Sequence, residues 1–353
     1  MKINVVTVKT GPNFNAGQKA PSDIVKIINN YFESYASFIS NFNSEEFLNK
    51  HNIIYRILCR SEFFKIFNHS RRKKDVLLIQ YPMEERTNFL NKLFLFNMNF
   101  LNKDKSIILI HDLDGIRYQN KEFHDQDIAR LNKVKYVIVH NDIMKDKLIK
   151  DGVKSKIYVL KLFDYLCNYD NNIKEIKFDK NKPIIVYAGN LSSKKSPFIH
   201  ELVNKDINFT LNLYGVGIDK NLSKNIIYKD KYPAEILPNK LEGNLGLIWD
   251  GKSDSSDNNI GMKNYTRYNN PHKLSCYIAA GLPVIVWKES AISKFVKEND
   301  IGYTISKIED INKLDFSDYM KKKENVRKIQ VKVRNGEYTK NVIEEILKDM
   351  GEI

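Results

Sequence analysis

Residues 269–287 read NNPHKLSCYIAAGLPVIVW, from Asn269 to Trp287. Pro271 suits a first helical turn, because it has no N–H there to leave unpaired, and Asn270 is placed to cap it. Gly281 closes the helix, and Leu282 to Trp287 run on as a short apolar strand. Helix, glycine and buried strand in that order form the repeating unit of parallel α/β folds. Lys273 falls in the first turn, where a cation opposes the helix dipole. A bound phosphate accounts for it better than helix stability does, since free amides at a helix N-terminus attract anions. The AAGLPVIV part alone fits any helix–strand connection, so the phosphate reading rests on Asn270 and Lys273.

The same rhythm runs outward from this stretch. Short apolar runs at 183–188, 209–214, 225–228, 245–249 and 283–287 predict strands, with helices over 196–204, 233–240, 271–280 and 290–299. Residues 251–270 interrupt it with a polar, turn-rich stretch whose length and place before a helix start suggest a functional loop. The first half repeats the pattern, with strands expected at 2–8, 75–80, 106–111, 136–140 and 157–160. Helices are expected there at 22–38, 85–101 and 142–151, the last capped by Asp142 and stopped by Gly152. Residues 167–182 are dominated by Asn, Asp and Lys and read as a linker. The expected division is therefore an N-terminal Rossmann-like domain over 1–166, a second over 167–334, and a helix over 335–353 packing back towards the first. Two such halves form a cleft, with ligands at the carboxyl ends of the strands.

At 353 residues, with 42% hydrophobic and 28% charged residues, the chain suits two globular domains and is not a disordered polymer. Its three cysteines, Cys59, Cys167 and Cys276, are scattered and odd in number, which speaks against a disulfide framework or a zinc cluster. No apolar run is long enough for a membrane span and no signal-peptide core precedes the first strand. The expected location is the cytoplasm or the inner face of the cell membrane. The net charge of +14 admits nucleic acid, an anionic membrane or phosphate-rich substrates as partners, or only a lysine-rich genome. No nucleic-acid recognition signature accompanies it, so no nucleic-acid partner is expected.

Further strand ends carry candidate chemistry. Ile185 to Asn190 end in Gly189 and Asn190 before a hydroxyl- and lysine-rich turn. Gly189 allows close backbone approach, and Lys194 or Lys195 could neutralise a diphosphate. Tyr214, before Gly215, could lie beside a nucleobase or fill the core. In the first half, the loop over 10–21 has the glycines and prolines of a segment that closes on ligand. The strand over 106–111 ends in His111 and Asp112, where a general base belongs. Either residue could deprotonate an acceptor hydroxyl, or the pair could only brace its loop. Asp112-Leu113-Asp114 matches a short cation-binding pattern, but lysines supply the counter-charge, so no metal and no cofactor are expected. Gly215-Val216-Gly217 lacks the rest of a dinucleotide fingerprint. Residues 61–74 mix phenylalanines with Lys65 and the run Arg71 to Lys74, which fits peripheral contact with an anionic membrane and a core helix equally.

Taken together these residues resemble bacterial GT-B sugar transferases of two related groups. One comprises the β-1,6-galactofuranosyltransferases of O-antigen and capsule assembly, the other the glucosyltransferases that modify serine-rich adhesins. The likeness is carried by GQKAPSD (17–23), IHDLDGIR (110–117), LNKVKYVIVHNDIMKDKL (131–148), YAGNL (187–191), GLIWDG (246–251) and the opening stretch. It implies a metal-independent hexosyl transfer, by inversion, from a UDP-sugar to a sugar hydroxyl of a glycan or lipid-linked oligosaccharide. It also implies that Gly189, Asn190, Tyr214, Asn270 and Lys273 meet the donor, joined by Lys19 from the N-terminal loop. The Asn-Asn-Pro-His before the lysine and the long loop at 251–268 depart from the adhesin group and favour the polysaccharide group. A non-catalytic nucleotide-sugar-binding or regulatory protein of the same fold is the alternative, and self-association is left open.

Overall fold

A computed structural model describes residues 1–8, 16–39, 64–82, 95–168, 176–218, 222–254 and 262–353. Residues 10–15 of the expected closing loop, 85–94 of an expected helix, 169–175 of the linker, 255–261 of the long loop, and Cys59 lie outside that set. The chain divides into two compact units. The first holds the N-terminal residues, 21–160 and Tyr338–Ile353; the second holds Lys161–Glu337 with the stretch ending at Ala20.

In the first unit, β1 (Ile3–Val8), β2 (Ser34–Ile39), β3 (Val76–Tyr81), β4 (Ser106–Ile110), β5 (Tyr136–Val139) and β6 (Lys156–Val159) form one parallel sheet, ordered β2-β1-β3-β4-β5-β6. VLLIQY and SIILI are buried throughout, as expected of central strands covered on both faces. The first helix, α1 (Ala16–Tyr31), overturns the expected loop to Pro21 and helix over 22–38. Pro21 resembles a helix start in the sequence but lies inside the helix, and SYASFI forms β2. Helix α2 (Lys121–Leu131) is capped by Asn120, whose side chain accepts from the Phe123 N–H. Helix α3 (Asp142–Lys150) is capped by Asn141 rather than Asp142: the Asn141 amide oxygen accepts from Met144 N–H at 2.9 Å.

The second unit repeats the architecture with β7 (Ile184–Asn190), β8 (Thr210–Val216), β9 (Ile226–Asp230), β10 (Leu245–Ile248), β11 (Val284–Trp287) and β12 (Gly302–Ile305), ordered β12-β11-β10-β7-β8-β9 and wholly parallel. Sequence reading passed over β12, whose GYTI is too short to show a period. Helix α4 (His272–Ala279) lies against β10, because Gly246 has no side chain there. A Cβ on Gly246 would come within 2.3 Å of the Tyr277 ring. The other end of α4 is fixed by α5 (Tyr319–Asn335), from which Gln330 and Arg334 donate to the Ala279 carbonyl. A cation on a helix's last carbonyls also complements its dipole. Gly336, left-handed at φ 77°, ends α5 and leads into α6 (Glu337–Met350).

A lysine-braced strand end as candidate functional site

In the second unit, parallel strands put every carboxyl end on one side, and β7, β8 and β10 deliver their last residues beside the start of α4. Gly189 and Gly215 stand opposite one another in register. A Cβ on Gly215 would reach 1.8 Å from the Gly189 carbonyl oxygen, so only glycine allows the two strands this approach. A Cβ on Gly189 would meet the Lys273 side chain at 3.1 Å. Lys273 comes from the first turn of α4 and lies along that bare backbone.

The ammonium of Lys273 is held by named partners. It donates to the Tyr187 hydroxyl and to Asp250 Oδ1, each at 3.1 Å, and stands 4.6 Å from the centre of the Tyr187 ring. Burial works against its charge, yet Asp250 and the neighbouring tyrosine hydroxyls prevail and raise its pKa above the ordinary lysine value. A fifth of the side chain remains exposed, so the charge can still meet a ligand. The cradle is stiffened behind it. The Tyr187 hydroxyl pairs with Ser196 Oγ at 2.7 Å, Ser196 donates to the Asn190 carbonyl, and Tyr277 accepts from the Ala188 N–H at 2.8 Å. Chemically this is a fixed cation beside a side-chain-free strand end and a helix N-terminus, an arrangement suited to a phosphate ester.

Sequence-selected residues fare unequally here. Gly189 and Lys273 come together. Asn190 folds into a turn, its amide oxygen accepting from Ser192 N–H and Oγ, and Lys194 is exposed on the turn that follows. Tyr214 is a core residue: it is 2% exposed, burial lifts its hydroxyl to about 12, and that oxygen accepts from the Glu242 N–H. Asn270 does not cap α4. Pro271 occupies the cap position, while Asn270 is buried and donates to the carbonyl of Lys161, a residue in the strained left-handed region at φ 70°. Lys19 sits in the opening of α1, buried, donating to the Leu166 carbonyl at 2.6 Å with the Tyr165 ring 4.9 Å away. The Tyr165 ring also packs on His272, 5.0 Å between centroids. Burial first, and then the Lys19 charge, hold the His272 imidazole down at about 3. Asp250, Tyr187 and Tyr277 were missed as functional residues. Asp250 ends a predicted strand on its carboxyl side, which was the signal available for it.

The first unit places His111 and Asp112 where the sequence put them, at the carboxyl end of β4. Gln80 organises the histidine. Its amide nitrogen donates to the Pro21 carbonyl, which turns Gln80 Oε1 towards His111 Nε2 at 2.8 Å. An amide oxygen presented to Nε2 favours the tautomer with its proton there. Asp112 is engaged by Arg117 at 2.9 Å. Beneath them, the buried Asp127 accepts from Tyr81 and from the Gly115 N–H, and Arg130 donates to the Tyr81 hydroxyl. Gly115 itself is required, because a Cβ would strike the His124 backbone at 2.3 Å. Among the described residues no group of three metal-ligating side chains gathers, and no helix is long and apolar enough to cross a membrane.

Comparison with known proteins matches residues 2–162 to the N-terminal domain and 185–346 to the C-terminal domain of the glucosyltransferase 3-like family. The chain is 33% identical over 284 residues to the β-1,6-galactofuranosyltransferase WbbI of Escherichia coli (strain K12), covering 78% of this chain and 80% of that one. Glucosyltransferase 3 of Streptococcus gordonii is 26% identical over 276 residues, covering 76% and 78%. Among solved structures, the lipopolysaccharide outer core galactosyltransferase WaaB superposes with a TM-score of 0.60 at 13% identity, covering 99% of this chain and 100% of that one. HepE of Anabaena, in complex with UDP and glucose, gives 0.60 at 11% identity, again covering 99% and 100%. The two parallel six-stranded sheets are thus the Rossmann-like pair of the GT-B fold. The chain belongs to the glucosyltransferase 3-like family and is a glycosyltransferase.

Proposed function

We propose that this glycosyltransferase moves a hexosyl group from a UDP-sugar to a sugar hydroxyl of a polysaccharide or glycoconjugate, with inversion and without a metal. The domains divide the labour, with the acceptor on the first unit and the nucleotide on the second. The observation that carries the reading is Lys273, held as a cation by Asp250 and Tyr187 against the bare backbone of Gly189. The donor diphosphate would lie over Gly189 at the N-terminus of α4, with Lys273 nearest the leaving oxygen. Asn190 and the exposed Lys194 would stand at the rim. Lys19, Asn270 and Tyr214 would act beneath the surface, by holding the backbone that carries the site. As the bond to the anomeric carbon breaks, negative charge grows on the departing UDP, and a fixed ammonium with helix amides stabilises it without reorganising. A metal is not needed where such groups already supply the charge.

His111 is proposed as the base. Its Nδ1 has the lone pair, whereas Asp112 is occupied by Arg117. The oxygen of the acceptor attacks the anomeric carbon while its proton passes to Nδ1 and UDP leaves with the bonding pair. The likeness to the galactofuranosyltransferase, at the higher identity, makes a galactofuranosyl donor the first to try.

Calorimetry and transfer assays test both halves. Lys273→Ala is expected to weaken UDP binding on the order of 10²-fold, the scale of losing one charge-stabilising donor. His111→Ala should leave UDP binding unchanged and abolish transfer, and added EDTA should change neither quantity. Full transfer by His111→Ala, with loss in Asp112→Ala, would move the base to Asp112. Unaltered UDP affinity in Lys273→Ala would remove the donor site from this strand end.

A further inference from the structure

The amino ends of the first sheet carry a feature that the transfer reaction does not use. Residues 64–73 are helical and anchored by Phe67, which is 1% exposed. Phe64 meets the Phe100 ring edge-on at 4.9 Å, and Phe96 meets the same ring at 5.5 Å. The knot is not sunk into the core: Phe96 is 58% and Phe64 38% exposed. The helix ends in Arg71-Arg72-Lys73-Lys74, all exposed and none ion-paired among the described residues. Lysines close in from neighbouring strand starts. Lys133 donates to Asn99 at 2.6 Å, next to Phe100, and Lys105 donates to the Lys74 carbonyl at 3.1 Å. Among the described residues the nearby acids are engaged: Asp75 is buried and accepts from the Tyr35 hydroxyl, Asp104 pairs with Lys135, and Glu352 with Lys105.

We infer that this patch docks the first unit on an anionic lipid surface. Exposed aromatic rings that pack on one another, one of them on the same helix as the exposed run Arg71 to Lys74, match the two halves of an interfacial site. The rings enter the headgroup boundary and the cations meet lipid phosphates. Single-stranded nucleic acid also seeks bases of charge and aromatic faces, but it needs separate flat platforms along a groove. Here the rings stand edge to face at 85° and 74°, and spend their faces on each other. Polarity gives a second argument. His111 lies at the carboxyl end of β4 and the patch at its amino end, so a docked unit would hold its base about 16 Å further out, one five-residue strand away.

The experiment is co-sedimentation of the full chain with vesicles of pure phosphatidylcholine and with vesicles about one third phosphatidylglycerol, at physiological salt. The wild type should partition to the anionic vesicles alone. Phe64→Ser/Phe96→Ser and Arg71→Glu/Arg72→Glu should each lower that partition at least roughly tenfold. Melting temperature and transfer to a soluble acceptor should stay unchanged in the arginine variant, which separates lost docking from lost folding. Equal partition to neutral vesicles, or double variants that sediment like the wild type, would overturn the inference. So would a lipid-free dimer that the phenylalanine variant dissolves, or binding of single-stranded RNA with the same dependence on these residues.

Discussion

Gly215 shows how little freedom the strand end has. Its φ of 138° is one that side-chain-bearing residues rarely adopt, and the Gly189 carbonyl occupies the place of a Cβ. Gly215→Ala must push β7 and β8 apart, and should cost at least about 3 kcal/mol in urea unfolding. Gly152→Ala is the control: its φ is 100° but nothing lies within 4 Å, so only the backbone penalty of about 1 kcal/mol applies. Similar losses in the two would show that strand approach is not what Gly215 secures. At this scale the sequence disclosed the bare glycine and the lysine, because both break a local rule, one of side-chain content and the other of helix charge. It could not reveal that Tyr214 and Asn270 face inward, since nothing in LNLYG or NNPH says which side of a strand or turn is covered.

Helix α4 is positioned by its own tyrosine. Tyr277 is buried on Gly246, and its hydroxyl takes the Ala188 N–H that the strand ladder leaves over. Tyr277→Phe keeps the ring and strands that amide without a partner, so we expect a loss of about 1–3 kcal/mol in stability. UDP affinity should also fall, but by less than in Lys273→Ala, because the strand end loosens while the charge remains. A Phe variant as stable as the wild type would mean the amide finds another acceptor. Elements with a strong period were legible: β4, α3 and the α4–Gly281–β11 unit stand close to their expected places. The opening of the chain was not. Pro21 gave a start signal inside a helix, and the strand Ser34–Ile39 was merged with the helix before it. Tertiary pairing with β1 decides that segment, and pairing is invisible to local propensity.

Across the whole molecule, acid should be the weak side. His140 is 1% exposed and donates to the Ile110 carbonyl, and burial lowers its pKa to about 4. His272 is lowered further, to about 3. An unfolded histidine takes its proton near 6.5, so between that pH and about 4 the unfolded chain binds more protons than the folded one. Stability is therefore complete above about pH 6.5 and falls as the pH is lowered, on the order of 3 kcal/mol for His140 alone. Urea midpoints between pH 7 and 4.5 measure the slope. His140→Gln, which retains a donor for Ile110, should flatten it, and an unchanged slope would assign acid lability elsewhere.

The helix α6 has a bearing on the order of events at the ribosome. From Tyr338 onward it belongs to the first unit, burying Val342, Ile343, Ile346 and Leu347 there and pairing Asp349 with Lys156 at 2.5 Å. Domains commonly mature in the order in which they are translated. Here the earlier domain waits for its closing piece until the later one has been synthesised. Its apolar flank stays uncovered through most of translation.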